Sequence, residues 1–253
     1  MIDGRLGRRA LLAGAAAGLA APRALAFGDE GAFHPRLLLT GTSRLEGPRA
    51  RATARWAEDL RRQTSAPSRV TPGTVRADAP QLLAEPFAVW AGEGAIAPLT
   101  IREVEGLRKF LLIGGILLVD DAAPEGGAFG RDARRELARV LPESAVIKLP
   151  EKHVVYHSFY LLARPVGRVE GPDHLDAISL AGTAQVLFSS HDLLGALARE
   201  REGTPTYRVE PGGERQRELA TRLAVNIAMY VLCSNYKDDQ VHAPMLMKRR
   251  APK

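Results

Sequence analysis

The run Ile116-Leu117-Leu118-Val119 constrains the fold more than any other segment. Four apolar residues follow one another without polar alternation. A strand of this kind must be covered on both faces, as in the middle of a parallel sheet. The helix before it has a clear start signal, because Thr100 and Glu103 have the spacing of a capping box. Ile101, Val104, Leu107 and Leu111 form its predicted inward stripe, and Gly114-Gly115 stops it. Further strands are predicted at 36–40, 74–77, 86–90 and 145–149. Helices are predicted over 48–64, where Ala52, Trp56 and Leu60 recur four residues apart, and over 131–141. Strands and helices alternating through short connections imply an α/β layer fold around a central, largely parallel sheet of about five or six strands.

Past residue 149 the pattern changes. Ala177–Leu180 and Gln185–Ser190 flank Ala181-Gly182-Thr183-Ala184, which predicts an antiparallel hairpin, or an edge strand beside a core strand. A last helix is predicted from Gly213 to about Cys233. Glu214, Glu218, Arg222 and Asn226 are its expected wet stripe, and Leu219, Leu223, Ile227, Tyr230 and Val231 its buried one. Cys233 is the single cysteine, so no internal disulfide can form. It follows an apolar run and is expected to be a buried structural thiol. Residues 234–253 read as a polar basic tail. Lys248, Arg249, Arg250 and Lys253 allow peripheral contact with anionic lipid, with a solvated terminus as the default.

Residues 1–26 read as a twin-arginine export signal. Arg8-Arg9 precede an Ala/Gly/Leu run to Ala21, and Ala24-Leu25-Ala26 supplies a cleavage site after Ala26. The apolar run is short for a membrane span. The expected location is therefore the periplasm, with residues 27–233 as one α/β domain. The net charge of +6 is partly carried by Arg5, Arg8, Arg9 and Arg23 of the signal, so nucleic acid is not an expected partner.

The order of motifs resembles a bacterial family known as domain of unknown function 4159. The matching stretches are Leu107 to Asp121, Leu149-Pro150-Glu151-Lys152-His153 leading into His157-Ser158-Phe159-Tyr160, Ser189 to Leu194, and Arg222 to Leu232. Val154 departs from the proline expected after His153. The resemblance implies a flavodoxin-like, class I glutamine amidotransferase-like three-layer sandwich. It implies no established activity, and the cofactor is left unknown. Relatives often have gene neighbours encoding MoxR-type ATPases and von Willebrand A-like membrane proteins, which implies partners in an envelope complex.

Asp120 and Asp121 are the leading candidate site residues. In open parallel sheets the ligand crevice lies beyond the carboxyl ends of the strands, and adjacent carboxylates there suit a divalent cation or acid–base work. Successive side chains of a strand point to opposite faces, so both meet one ligand only where the strand has turned. His191 and Asp192 are candidate partners for them. Ser190-His191-Asp192 cannot be a relay by itself, because such groups converge from separate segments. Asp192 otherwise reads as the N-cap of a short helix. His153 and His157 have zinc-compatible spacing but no glutamate between them, and a packed, backbone-bonded histidine is the competing reading. Phe159 and Tyr160 are expected core aromatics. Gly92-Glu93-Gly94 has dinucleotide-loop spacing, but Pro98 and the Thr100 cap delay the helix, so it is rejected. The first reading is a non-enzymatic binding or assembly module. The alternative is a hydrolase-like or metal- or ligand-binding protein using Asp120 and Asp121.

Overall fold

The computed structural model describes residues 31–41 and 45–250, with side chains through residue 234. The export segment at 1–26 lies outside the described residues. Seven strands form one sheet in the order β2-β1-β3-β4-β7-β6-β5. They are β1 (Arg36–Leu39), β2 (Gly73–Arg76), β3 (Phe87–Gly92), β4 (Ile116–Asp121), β5 (Val146–Lys148), β6 (Asp176–Leu180) and β7 (Thr183–Ser189). The helices are α1 (Gly47–Thr64), α2 (Ile101–Leu112), α3 (Ala128–Val140), α4 (Leu193–Leu197) and α5 (Gly213–Arg250).

The pairings β2-β1, β1-β3, β3-β4 and β4-β7 are parallel, and β6 pairs antiparallel with both β7 and β5. Counted in chain order, the five parallel strands run 2-1-3-4-5, the flavodoxin-type order. One core cluster joins one sheet face to residues of α1, α4 and α5, and the other joins the opposite face to α2 and α3. The architecture is the expected three-layer sandwich. The Ile116–Val119 ribbon lies at its centre, with no residue more than 1% exposed.

Local signals place most of these elements. Thr100 and Glu103 form the capping box at the start of α2. The turn Ala181-Gly182 has both residues at positive φ, 49° and 83°. That geometry matches the twist of a tight hairpin. Gly106 lets α2 approach the end of β2, since a Cβ there would sit 2.0 Å from the Ala77 carbonyl oxygen. Trp56 is fully buried, packs edge-on to Phe87 at 5.6 Å and donates from Nε1 to the Ala224 carbonyl at 2.7 Å. This bond ties α1 to α5.

Several expectations are corrected. Strand β5 is a short exposed edge of three residues. Ile101 is 66% exposed, because it stands at the first position of α2, before the helix reaches the sheet. Phe159 is also exposed, lying on a loop outside both cores, while Tyr160 is half-buried. The last helix continues to Arg250 rather than ending near Cys233. Cys233 is exposed, because it lies two residues, about 200° around the helix, from buried Val231.

Asn226 is the most informative correction. It is buried, not wet. Its amide nitrogen donates to the Tyr156 and Tyr160 carbonyls at 2.8 Å each. Its oxygen accepts from the Phe159 and Tyr160 N–H groups. One side chain thus satisfies four backbone groups of the loop laid across α5. Replacing Asn226 by Ala should leave those groups unpaired and cost about 2–4 kcal/mol, measured as a lowered urea midpoint. An unchanged midpoint would contradict this role.

Candidate functional site

The crevice of a doubly wound sheet lies at the carboxyl ends of its strands, where the strand order switches between β1 and β3. Here that rim is filled by the protein's own charges. Asp192 follows β7, has no solvent exposure and adopts φ 52°. Arg49, in the first turn of α1, donates to it from Nε at 2.9 Å and from Nη2 at 2.7 Å. The Arg168 guanidinium also donates to Asp192, and the Gly195 N–H does so at 3.0 Å, which makes Asp192 the N-cap of α4. The remaining Arg49 nitrogen reaches Glu93 at 2.5 Å, and the Tyr207 ring stacks on the guanidinium at 4.2 Å. Burial opposes the Arg49 charge, yet the bonds and charge of Asp192 outweigh it and raise its pKa.

Asp120 and Asp121 both lie within β4, so they face opposite layers. Asp120 points with Ile116 and Leu118 toward the α1, α4 and α5 layer. It accepts from the Leu193 and Leu194 N–H groups at 2.9 and 2.8 Å, the free amides at the start of α4. Burial, and then the Asp192 charge, push its pKa up to about 7, against the pull of those two amides. Asp121 is 3% exposed and accepts from the Ala123 and Gly130 N–H groups at 3.0 and 3.1 Å on the α3 side. It fixes the Gly-rich loop and the start of α3. The structure therefore brings Asp120 and Asp192 together and leaves Asp121 on the other side of the sheet.

His191 is 2% exposed. Its Nε2 donates to the Pro172 carbonyl at 2.9 Å, which leaves Nδ1 an acceptor, and that atom has no partner. Burial lowers its pKa, which favours the neutral ring. His153 and His157 flank a 3₁₀ turn, Val154–Tyr156, which packs against α5. The His153 Nδ1 accepts from the Val155 N–H and its ring packs against Tyr230, while His157 is exposed. No group of three or more His, Cys, Asp or Glu side chains among the described residues is placed to hold a metal ion.

Beside the rim lies an open cleft of about 360 Å³. It runs between residues 161–171 and the start of α5, and His191 lines it. Gln216 at its edge is fully occupied. It donates to the Gly167 and Glu210 carbonyls at 2.9 Å and accepts from the Gly212 N–H at 2.8 Å.

Arg49 and Arg168 are absent from the candidates named by sequence reasoning. Arg49 was detectable, because it stands three residues before Ala52 and seven before Trp56, on the buried stripe of α1. Arg168 lies in an irregular segment, where no periodicity marks it. Glu93 belongs to the rejected glycine loop and serves Arg49 instead of a phosphate.

The family model of a domain of unknown function, DUF4159, matches residues 38–232. No curated protein matches the chain.

Two outcomes follow from the buried charges. Arg49→Met should cost about 3–5 kcal/mol in urea unfolding, because it leaves the buried Asp192 charge undercompensated. A loss below about 1 kcal/mol would place the pair in a solvated setting. The raised Asp120 pKa gives a stabilising contribution that is complete below its ordinary pKa of 3.8 and is lost as pH rises to about 7. Wild type should therefore lose stability relative to Asp120→Asn between those pH values. The unfolding midpoints of the two proteins, measured across that range, check this.

Proposed function

The chain belongs to the DUF4159 family, and we propose that it is a non-catalytic binding module of the cell envelope. The observation that carries this reading is the closure of the strand-end rim. At the carboxyl ends of β4 and β7, beside the β1/β3 switch point, Asp192 is saturated by Arg49, Arg168 and an α4 amide, and Asp120 by two more amides. Neither carboxylate is accessible to solvent. The competing reading, hydrolysis or cation binding through Asp120 and Asp121, needs both groups on one ligand. They face opposite layers, and each is spent on backbone N–H groups.

Exposed apolar side chains favour a partner surface. Val154, Phe159 and Leu161 are 52%, 46% and 86% exposed within eight residues of chain. Exposed large apolar groups are candidates for an interaction surface. The envelope location rests on the Arg8-Arg9 signal and the Ala24-Leu25-Ala26 cleavage site. No described helix is long and apolar enough to cross a membrane. Partners are then envelope proteins rather than nucleic acid, with a further contact to anionic lipid through the basic tail.

Two experiments test this. Changing Arg8 and Arg9 to Lys should trap the uncleaved chain in the cytoplasm, whereas wild type should appear in the periplasm with Phe27 as its first residue. Equal periplasmic yield of both would remove the export route. Across ester, amide and phosphate-ester substrates, wild type and Asp120→Asn should be equally inactive. Turnover abolished by that substitution would overturn the non-catalytic reading.

A further inference from the structure

The cleft beside the rim has the composition of a recognition site. Its volume of about 360 Å³ is at the small end of ligand sites, which span roughly 300–1,000 Å³. Leu161, Val166, Pro211 and Leu219 give it aliphatic walls. Two cations stand at it. Arg164 is shared with Glu170 at 3.7 Å, and both are more than half exposed. Arg215 is exposed and makes no ion pair among the described residues. The start of α5 borders the same space, with Gly212 just before the helix and Arg215 in its first turn. A helix start carries partial positive charge, while the Gly212 and Gly213 N–H groups are held by Gln216 and the Val209 carbonyl.

His191 supplies a separate observation. It lines this cleft, is 98% shielded from solvent and holds an acceptor Nδ1 with no donor. A buried acceptor without a partner is costly. The complementary ligand group is an N–H or O–H donor.

Resting on the binding-module reading, we infer that this cleft captures the C-terminal end of an extended apolar peptide. The terminal carboxylate meets Arg215 and the start of α5. The last amide N–H serves His191 Nδ1, and the aliphatic side chain packs on Leu161, Val166 and Leu219. A fatty acid has the carboxylate and the apolar body but no N–H donor. An inorganic anion has no apolar body. Leu161, the most exposed large apolar residue described, and Phe159 extend the apolar surface beyond the cleft, so the ligand is longer than the cleft itself. Capture of chain ends through backbone N–H groups and a cation is a recurrent recognition mode.

The probe is the fluorescein-labelled peptide Gly-Ser-Gly-Ala-Val-Leu, titrated with the full chain and read by fluorescence polarisation. The free-acid peptide should bind at least about tenfold more tightly than its C-terminal amide, a difference of about 1.4 kcal/mol. N-methylation of the last amide should cause a similar loss, which reads the His191 acceptor without altering the protein. Arg215→Glu and Leu161→Asp should each weaken binding about tenfold with unchanged unfolding midpoints, since both side chains are exposed. Equal affinity of acid and amide, or no saturable binding of either, overturns the inference and leaves the binding-module reading standing. Displacement by N-acetyl-leucine at the same concentration as unlabelled peptide overturns the peptide in favour of a small free acid. Bound peptide recovered cleaved by mass spectrometry supports the cleft and overturns the non-catalytic reading.

Discussion

A carboxylate with no solvent exposure has to be compensated group by group, and Asp192 is compensated from three directions. Arg49 comes from α1, Arg168 from the irregular segment before β6, and the Gly195 N–H from α4. Arg49 and Arg168 lie 143 and 24 residues from Asp192, so the charge can be buried only when those segments meet. The desolvation cost of such ions is several kcal/mol each, and close paired geometry is needed to offset it. Asp120 extends the arrangement inward. Its two bonds to the start of α4 join the central strand to the same short helix. α4 has five residues, too few to be stable alone, so these bonds and its packing define it.

This arrangement lies at the carboxyl ends of β4 and β7, beside the switch point where a flavodoxin-type sheet offers its crevice. The strand order 2-1-3-4-5 and the Asp-terminated central strand would by themselves suggest a reactive site. The hydrogen bonds instead support the proposed non-catalytic reading, because Asp120, Asp121 and Asp192 are each bonded within the protein. What remains open lies to one side, between the 161–171 segment and the start of α5. The proposed binding site therefore lies off the sheet end, on a surface built by loops, consistent with the principle that sites, not folds, carry activity.

Much of the layer structure was legible in the sequence. The non-alternating Ile116–Val119 run required a doubly covered strand, the Thr100–Glu103 spacing announced α2, and the segments flanking 181–184 pointed to a hairpin or to an edge strand beside a core strand. Those signals are local, and local chemistry decides them. The failures concern polar groups whose partners are remote. Asn226 sits in helical phase with Glu218 and Arg222, so its pattern reads as wet. It is buried because the 156–160 loop crosses α5 there and needs its amide. Arg49 follows the buried stripe of α1 but carries a charge, and only Asp192, 143 residues away, makes burial tolerable. Cys233 failed differently, since an apolar run does not report which helix face its last member takes. Asp120 and Asp121 were correctly placed at the strand end, but their backbone partners come from the following loops and cannot be read from the pair itself.

The central claim is that the strand-end acids are locked structural groups. Native-state hydrogen exchange at the Leu193, Leu194 and Gly195 amides tests it most directly. If those N–H groups are held by Asp120 and Asp192, their opening energies should approach that of global unfolding. Exchange as fast as that of exposed loop amides such as Gly182 would show that the acids are free to act on something else.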